Sequence, residues 1–422
     1  MDDTTPTTST RTSLIALFAG IIASVALLTW WVGWALPLVI GAIIVMVMGH
    51  EFGHFITAKR SGMKVTDFFV GFGPVLWSTR IGETRYGVRA ILAGGYVKVP
   101  GMTWSDRIES SEESRTYRSA TYPRKVLFAS AGSLMHAAMA LLLAWASLTF
   151  VGQLSTSHVG VLSFTNWDGH AKNAAQLAGL ERGDRIVKID GHSVKDAAWL
   201  VNEVHRSAGH ELTLLVERHG GLLTLHATPV DGRQLAVGGV KVATGAKPQG
   251  YLGIALVYQR SRDSWYAAVP SSFTQVGSML AAATHAMVHV FSPGQFSSLF
   301  HQVASPAAAS KPSNQLSRPQ SIVGVVRIAV QSTQAGPGTL LDILMAVNIF
   351  VGVLNMLPML PLDGGYVAVA TYERLRSRRG TRYHADVNRL APVVYAFMTV
   401  LLVLFACTLY LDIAHPIANP FN

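Results

Sequence analysis

From Thr12 to Gly49 the chain carries no Asp, Glu, Lys, Arg or His. A run that long and that apolar suits lipid rather than water. As one helix it would measure about 55 Å at ~1.5 Å per residue, well past a hydrocarbon core of ~30 Å. Two helices joined by a tight break fit better. Gly33 and Pro37 supply the break, and Trp30, Trp31 and Trp34 suit an interface. The first helix is expected over about Ser13–Trp31 and the second over about Pro37–Thr57. A cleaved signal peptide is the competing reading, but no small-residue cleavage site precedes another polar stretch.

Three further runs are long enough to cross. Val126–Val151 is interrupted only by His136, Ile343–Ala370 carries one acid, Asp363, and Leu390–Leu411 carries no charge. Charged residues make up only 14 % of the chain, against roughly 25 % in soluble domains, which fits a membrane protein and excludes a disordered or coiled-coil chain. Ser264–Ser310 also lacks formal charge but is rich in Ser, Gln and Pro, so it is expected as an amphipathic element on the membrane or packed against it. If it crossed, the basic segment Glu373–Arg379 would face outward.

Basic residues set the orientation. Lys59, Arg60, Lys64, Arg80, Arg85, Arg89, Lys98, Arg124 and Lys125 follow the second helix, and Arg374, Arg376, Arg378 and Arg379 lie between the last two spans. Both segments are then cytoplasmic, and roughly 152–335 is exported. These loops account for much of the net charge of +10 without nucleic acid, and no basic patch interleaved with aromatics argues for it. The one cysteine, Cys407, excludes a disulfide framework or a cysteine-rich metal site and is expected as a small buried hydrophobe. Lys311–Pro319 reads as a mobile exported linker, and Ser321–Val330 as either a strand or an interfacial helix.

Residues 155–258 regain soluble composition. A short helix ends at Gly179, Arg185–Ile189 alternates as a strand, and Asp190-Gly191 is a hairpin signal. Ala197–Ser207 has a helical pattern, and Leu212–Arg218 pairs with Leu222–Thr228 around Gly220-Gly221. The AGL-x-x-GD-x-I-x-x-I-x-G string resembles PDZ domains of the bacterial protease-associated type, which add a peptide as an extra strand. A small β-rich domain without a ligand, acting as a steric filter, remains open beside that.

The chemistry lies in Gly49–His54, GHEFGH. On a helix His50 and His54 share a face, so two imidazoles can reach one metal, and Glu51 can take a proton from water. The plainer alternative is a pair of helix-face histidines with an unrelated acid, but an ionisable triplet inside an apolar run is expensive unless used. A catalytic zinc needs a third protein ligand and an open position. Asp363, in NMLPMLPLDGG (Asn355–Gly365), is the only acid of its run. Pro358 and Pro361 break the helix there, and irregular backbone at membrane depth must be buried or line a cavity. A lone Asp capping the second half-helix is the alternative.

These motifs, with Val70–Pro74 (VGFGP), Ala93–Val97 (AGGYV) and the PDZ-like insert, resemble the site-2 protease family of intramembrane zinc metalloproteases over nearly residues 37–412, closest to actinobacterial-type members with one PDZ domain. The resemblance implies zinc held by His50, His54 and Asp363, Glu51 as the base, and Asn355 holding the substrate strand or the oxyanion. It makes Gly71–Val97, with Gly94 and Gly95, a re-entrant β-loop on the cytoplasmic side that pairs with an unwound substrate helix. It further implies single-span regulators as substrates, such as anti-sigma factors already trimmed by another protease. The site would lie toward the cytoplasmic side of a bacterial cell membrane, with the PDZ domain outside and lipid around the core.

The expected architecture is a polytopic α-helical membrane protein with about five transmembrane helices. It divides into 1–36 (cytoplasmic N-terminus and extra helix), 37–151 (first part of the core), 152–260 (PDZ-like), 261–337 (amphipathic segment and linker) and 338–422 (second part of the core). The extra N-terminal helix departs from the family. So does His136, in Ala131–His136 (AGSLMH), where an amide is usual. His285 and His289 (HAMVH) have no acid between them and read as a polar helix face. Two rivals remain. A non-catalytic PDZ scaffold with a structural metal predicts loss of an essential residue, yet all four are present. A transporter with a broken helix predicts internal repeats, and none is visible.

Overall fold

The computed structural model describes residues 10–102, 108–169, 171–245, 247–377 and 383–421. The expected cytoplasmic residues Arg378 and Arg379 lie outside them. The chain separates into two compact units, residues 1–146 with 269–422, and residues 147–268.

The first unit opens with α1 (Thr10–Val32) and α2 (Ala35–Arg60). The turn between them falls at Gly33, whose φ of +91° is open to glycine and costly for other residues. Pro37 lies in the first turn of α2, where its missing N–H breaks no bond. Lys59 and Arg60 close α2 and complement its negative end. Strands β1 (Asp67–Ile81) and β2 (Thr84–Lys98) then form one long antiparallel hairpin, with Phe69 opposite Tyr96 and Val70 opposite Gly95. Its register is irregular near Gly71 and Gly73, both at positive φ, the backbone that glycine supplies at bulges of the G1 type. Phe72, Leu76, Ile91 and Leu92 leave the bend apolar and exposed. Helix α3 (Tyr122–Ala146) follows and continues through a π-helical turn, Ser147–Val151.

The second unit is β-rich. In chain order it contains β3 (Gln153–Phe164), α4 (Ala174–Leu177), β4 (Arg185–Ile189), β5 (His192–Ser193), α5 (Ala197–Arg206), β6 (Leu212–Arg218) and β7 (Gly221–Ala227). Short strands β8 (Val230–Asp231), β9 (Ala236–Val237), β10 (Val240–Lys241) and β11 (Gly250–Tyr251) precede β12 (Ile254–Ser261). The main sheet runs β12-β3-β4-β6-β7, all antiparallel. Val159, Ile186, Leu200, Leu214 and Val216 are buried at its centre. Asp196 caps α5 by accepting from the Trp199 N–H at 2.7 Å. An apolar groove of about 340 Å³ lies between α5 (Leu200, Val201, Val204) and β12 (Ile254, Leu256).

The first unit resumes with α6 (Ala268–Val290), α7 (Pro293–Ala304), α8 (Pro306–Ala309), α9 (Pro312–Ser317), α10 (Ile322–Ser332), α11 (Pro337–Asn355), α12 (Asp363–Arg376) and α13 (Ala391–Ala414). Four helices among the described residues are long and apolar enough to cross a membrane: α2, α3 with its π turn, α11 and α13. Val276 and Met279 of α6 pack on Ala140, Ala144, Met345 and Ile349 of α3 and α11, while His285 and His289 are exposed.

One expectation changes and two open points are settled. The run Ile343–Ala370 divides at 356–362 into α11 and α12, where Pro358 and Pro361 deny the helix its hydrogen bonds. Lys311–Pro319 is not a free linker. It contains α9, and Arg318 behind it is buried, donating through Nη2 to Asp412 Oδ1 at 3.1 Å and the His415 carbonyl at 2.8 Å. Ser321–Val330 is a helix, α10, begun by the Ser321 side chain accepting from the Gly324 N–H. Cys407 is half-buried against Leu299, Ala309 and Leu411.

Candidate metal centre

Helical geometry brings His50 and His54 together, as their spacing demands. Their ring centroids are 4.8 Å apart, the planes at 75°, and their Nε2 atoms are 3.2 Å apart. Asp363 completes a triangle: its Oδ2 lies 3.4 Å from His50 Nε2 and 3.3 Å from His54 Nε2. Asp363 is the first residue of α12, yet its carboxylate makes no capping bond; the N-cap is Leu362, also without a side-chain cap. The carboxylate serves the histidines rather than the helix end.

This triangle makes little sense without a cation. His54 Nδ1 lies 2.8 Å from the Phe128 carbonyl oxygen, which can only accept, so Nδ1 carries the proton. In the neutral ring, Nε2 then presents a lone pair to a carboxylate oxygen and to a second imidazole nitrogen. Three donors in tetrahedral array around zinc, with bonds of about 2.0–2.2 Å, would sit about 3.3–3.5 Å from one another. The observed 3.2, 3.3 and 3.4 Å fit that array, and the Phe128 carbonyl is the kind of outer partner that fixes a ligand's tautomer.

Helix α3 seats both rings. Gly132 faces His50 so closely that a Cβ there would fall 2.6 Å from Nε2. One turn further on α3, His136 is buried 5.1 Å from the His50 ring, centroid to centroid. Its Nδ1 lies 2.6 Å from Asn348 Oδ1, and Asn348 Nδ2 donates to the His136 carbonyl at 2.6 Å. An amide is therefore present near this point, supplied by α11 instead of α3.

The hairpin flanks Glu51. A Cβ on Gly95 would lie 2.8 Å from Glu51 Cγ and 3.0 Å from the Phe69 carbonyl oxygen, so glycine lets the β2 backbone lie against the acid. Gly94 instead packs under the Phe72 ring. The hairpin turn is anchored to α2 and to the following loop: Glu83 accepts from Arg115 at 2.8 Å and from Lys59 at 2.7 Å. Those two cations, Arg115 foremost, hold its carboxyl down to about 2. Asn355 ends α11, half-buried, short of the triangle in sequence.

The structure thus brings together His50, His54 and Asp363, with Glu51 next in chain to the first and Gly95 against Glu51. Sequence reasoning missed Gly132, Asn348 and the Phe128 carbonyl. Gly132 stands in the quoted AGSLMH string but has no motif of its own, Asn348 is an amide mid-way along an apolar helix, and a backbone carbonyl leaves no signature at all.

Comparison with known proteins agrees with this centre. The chain matches the sequence profile of peptidase family M50 over residues 38–402. It is 30 % identical over 400 residues to the zinc metalloprotease Rip1 of Mycobacterium tuberculosis strain H37Rv, covering 89 % of this chain and 96 % of the relative. Rip1 of Mycolicibacterium smegmatis is 30 % identical over 412 residues, with the same coverage of 89 % and 96 %. A putative zinc metalloprotease of Clostridium perfringens is 25 % identical over 358 residues, 84 % of this chain and 93 % of the relative. The chain belongs to peptidase family M50, the site-2 protease family, and is a multi-pass membrane zinc metalloprotease.

Proposed function

We propose that His50, His54 and Asp363 hold the zinc and that Glu51 is the general base in the hydrolysis of a peptide bond within a substrate's transmembrane segment. Bound there, zinc supplies Lewis acidity toward the scissile carbonyl and makes water easier to deprotonate. Glu51 takes the proton from water as the C–O bond forms at the scissile carbonyl, and then gives it to the amide nitrogen as the C–N bond breaks. Asn355 orients the substrate strand or the oxyanion.

The observation that carries this reading is the passage of β2 beside Glu51, with the Gly95 backbone against the acid. The hairpin folds back so that residues 67–70 of β1 pair on both sides, with 85–88 and 95–98, while the end of β2 beside Glu51 keeps a free strand edge. A transmembrane helix hides its peptide bonds, and an open strand edge next to the base gives an unwound stretch something to pair with. The exposed apolar bend of the hairpin favours its entry into the membrane as a re-entrant loop from the cytoplasmic side. The substrates are single-span regulators, such as anti-sigma factors trimmed beforehand by another protease. The β-rich second unit, PDZ-like in its strand and helix order, is exported and screens them, with the groove between α5 and β12 as its docking place. Helix α1 is a fifth span, which places the N-terminus in the cytoplasm.

Cleavage of a single-span reporter by purified enzyme in detergent tests the chemistry. Glu51→Gln abolishes cleavage while zinc stays bound; a variant that cuts at the normal rate contradicts the base assignment.

A further inference from the structure

The first turn of α3 and the last turn of α12 hold an ion pair that neither helix favours. Lys125 Nζ lies 2.7 Å from Glu373 Oε2, and the side chains are only 7 % and 14 % exposed. A lysine in a first turn meets the positive end of its helix, and a glutamate in a last turn meets the negative end. Both charges sit at the wrong pole. Burial adds a desolvation cost that their attraction at best offsets. Helix stability does not explain the pair, but its location does.

Helix α3 offers the Phe128 carbonyl to His54 and Gly132 to His50, one and two turns beyond Lys125. The helix that seats both imidazoles therefore also grips α12, which carries Asp363 as its first residue. At that first residue the irregular segment 356–362 sets the position: a Cβ on Gly365 would fall 2.6 Å from the Met359 carbonyl carbon. About 15 Å further along, at ~1.5 Å per residue, Glu373 is held by Lys125, and its other oxygen accepts from the Ala385 N–H at 3.0 Å. Tyr122 Oη and Thr371 Oγ1 also meet between these helices, at 3.4 Å and exposed, so the Lys125–Glu373 pair is the buried, charged hold whose loss lets α12 turn about its axis. A turn of about 10° moves a carboxylate ~6 Å from the axis by ~1 Å, whereas metal–ligand distances tolerate about 0.2 Å.

We propose that Lys125 and Glu373 are positioning residues that fix α12 against α3 and so deliver the Asp363 carboxylate to the metal. This rests on Asp363 being a ligand.

The test measures Zn2+ affinity of the full chain in detergent by competition with a chromogenic chelator, alongside thermal unfolding of the metal-free protein. Lys125→Met, Glu373→Gln, Lys125→Glu and Glu373→Lys each lower the affinity about tenfold or more, the size seen for outer partners of metal ligands. The double swap Lys125→Glu with Glu373→Lys returns it to within about threefold of wild type, since the pair re-forms with each charge now at a favourable pole. A pair that only stabilises the fold lowers the unfolding temperature of the single variants and leaves Zn2+ affinity unchanged; that result overturns the proposal. So does a double swap as weak as the singles. Asp363→Asn is the reference. If it binds Zn2+ like wild type, the ligand assignment fails and the proposal falls with it. If it loses Zn2+ while the Lys125 and Glu373 variants do not, the positioning role alone is wrong. The two neutral variants decide the matter if the charge reversals do not fold.

Discussion

Gly132→Ala tests how tightly α3 sets the metal centre. The new methyl would lie 2.6 Å from His50 Nε2 and closer still to Nδ1 and Cε1. Ordinary contact between such atoms needs about 3.5 Å, so the ring or the helix must give by about 1 Å. A zinc site accepts about 0.2 Å. His50 would leave its ligand position, and affinity should fall at least ~100-fold, equivalent to about 2.7 kcal/mol. Gly41→Ala is the control. It lies in α2, and a Cβ there meets nothing within 4 Å, so it should leave affinity unchanged. The assay is chelator competition on both purified variants, with thermal unfolding as a check on folding. A folded Gly132→Ala protein with wild-type affinity would refute the claim that α3 holds His50 by contact.

Two further outcomes follow from buried polar groups. Asn348→Leu removes the side-chain partner of His136, leaving its buried ring N–H unpaired while the carbonyl keeps its helical bond within α3; the cost is about 1–2 kcal/mol, read as a lower unfolding temperature in detergent, and an unchanged temperature would mean that water replaces the amide. In the β-rich unit, burial works against ionisation of Asp184, but Arg218 at 2.8 Å and the Glu181 N–H hold its carboxyl below the usual range. A depressed folded value stabilises above the ordinary carboxylate range and is lost as pH falls through it. Asp184→Asn should therefore destabilise at neutral pH, with the gap to wild type closing below about pH 4; a gap that stays constant with pH would contradict the pairing.

The two histidines and Asp363 were readable because charge in an apolar run is costly and because an i, i+4 spacing needs only helical geometry. Pro358 and Pro361 announced a break in Ile343–Ala370, but not that α12 would begin at Asp363 itself. What escaped the sequence depends on distant partners. Arg318 reads as part of a polar linker until Asp412, just past the charge-free run Leu390–Leu411, is seen to bind it in the interior. Asn348 is one amide in an apolar helix, and nothing local tells that it answers His136. Lys125 and Glu373 passed as topology markers in basic loops, although burial makes them a pair. The β-rich unit was more legible, since its turns at Asp190-Gly191 and Gly220-Gly221 are local.

X-ray absorption at the zinc edge of the purified protein tests the central claim most directly. The account predicts two imidazole nitrogens at about 2.0–2.1 Å and carboxylate oxygen at about 2.0–2.2 Å, with one imidazole lost in His54→Ala and the carboxylate lost in Asp363→Ala. A first shell unchanged by either substitution would place the metal elsewhere and contradict the account.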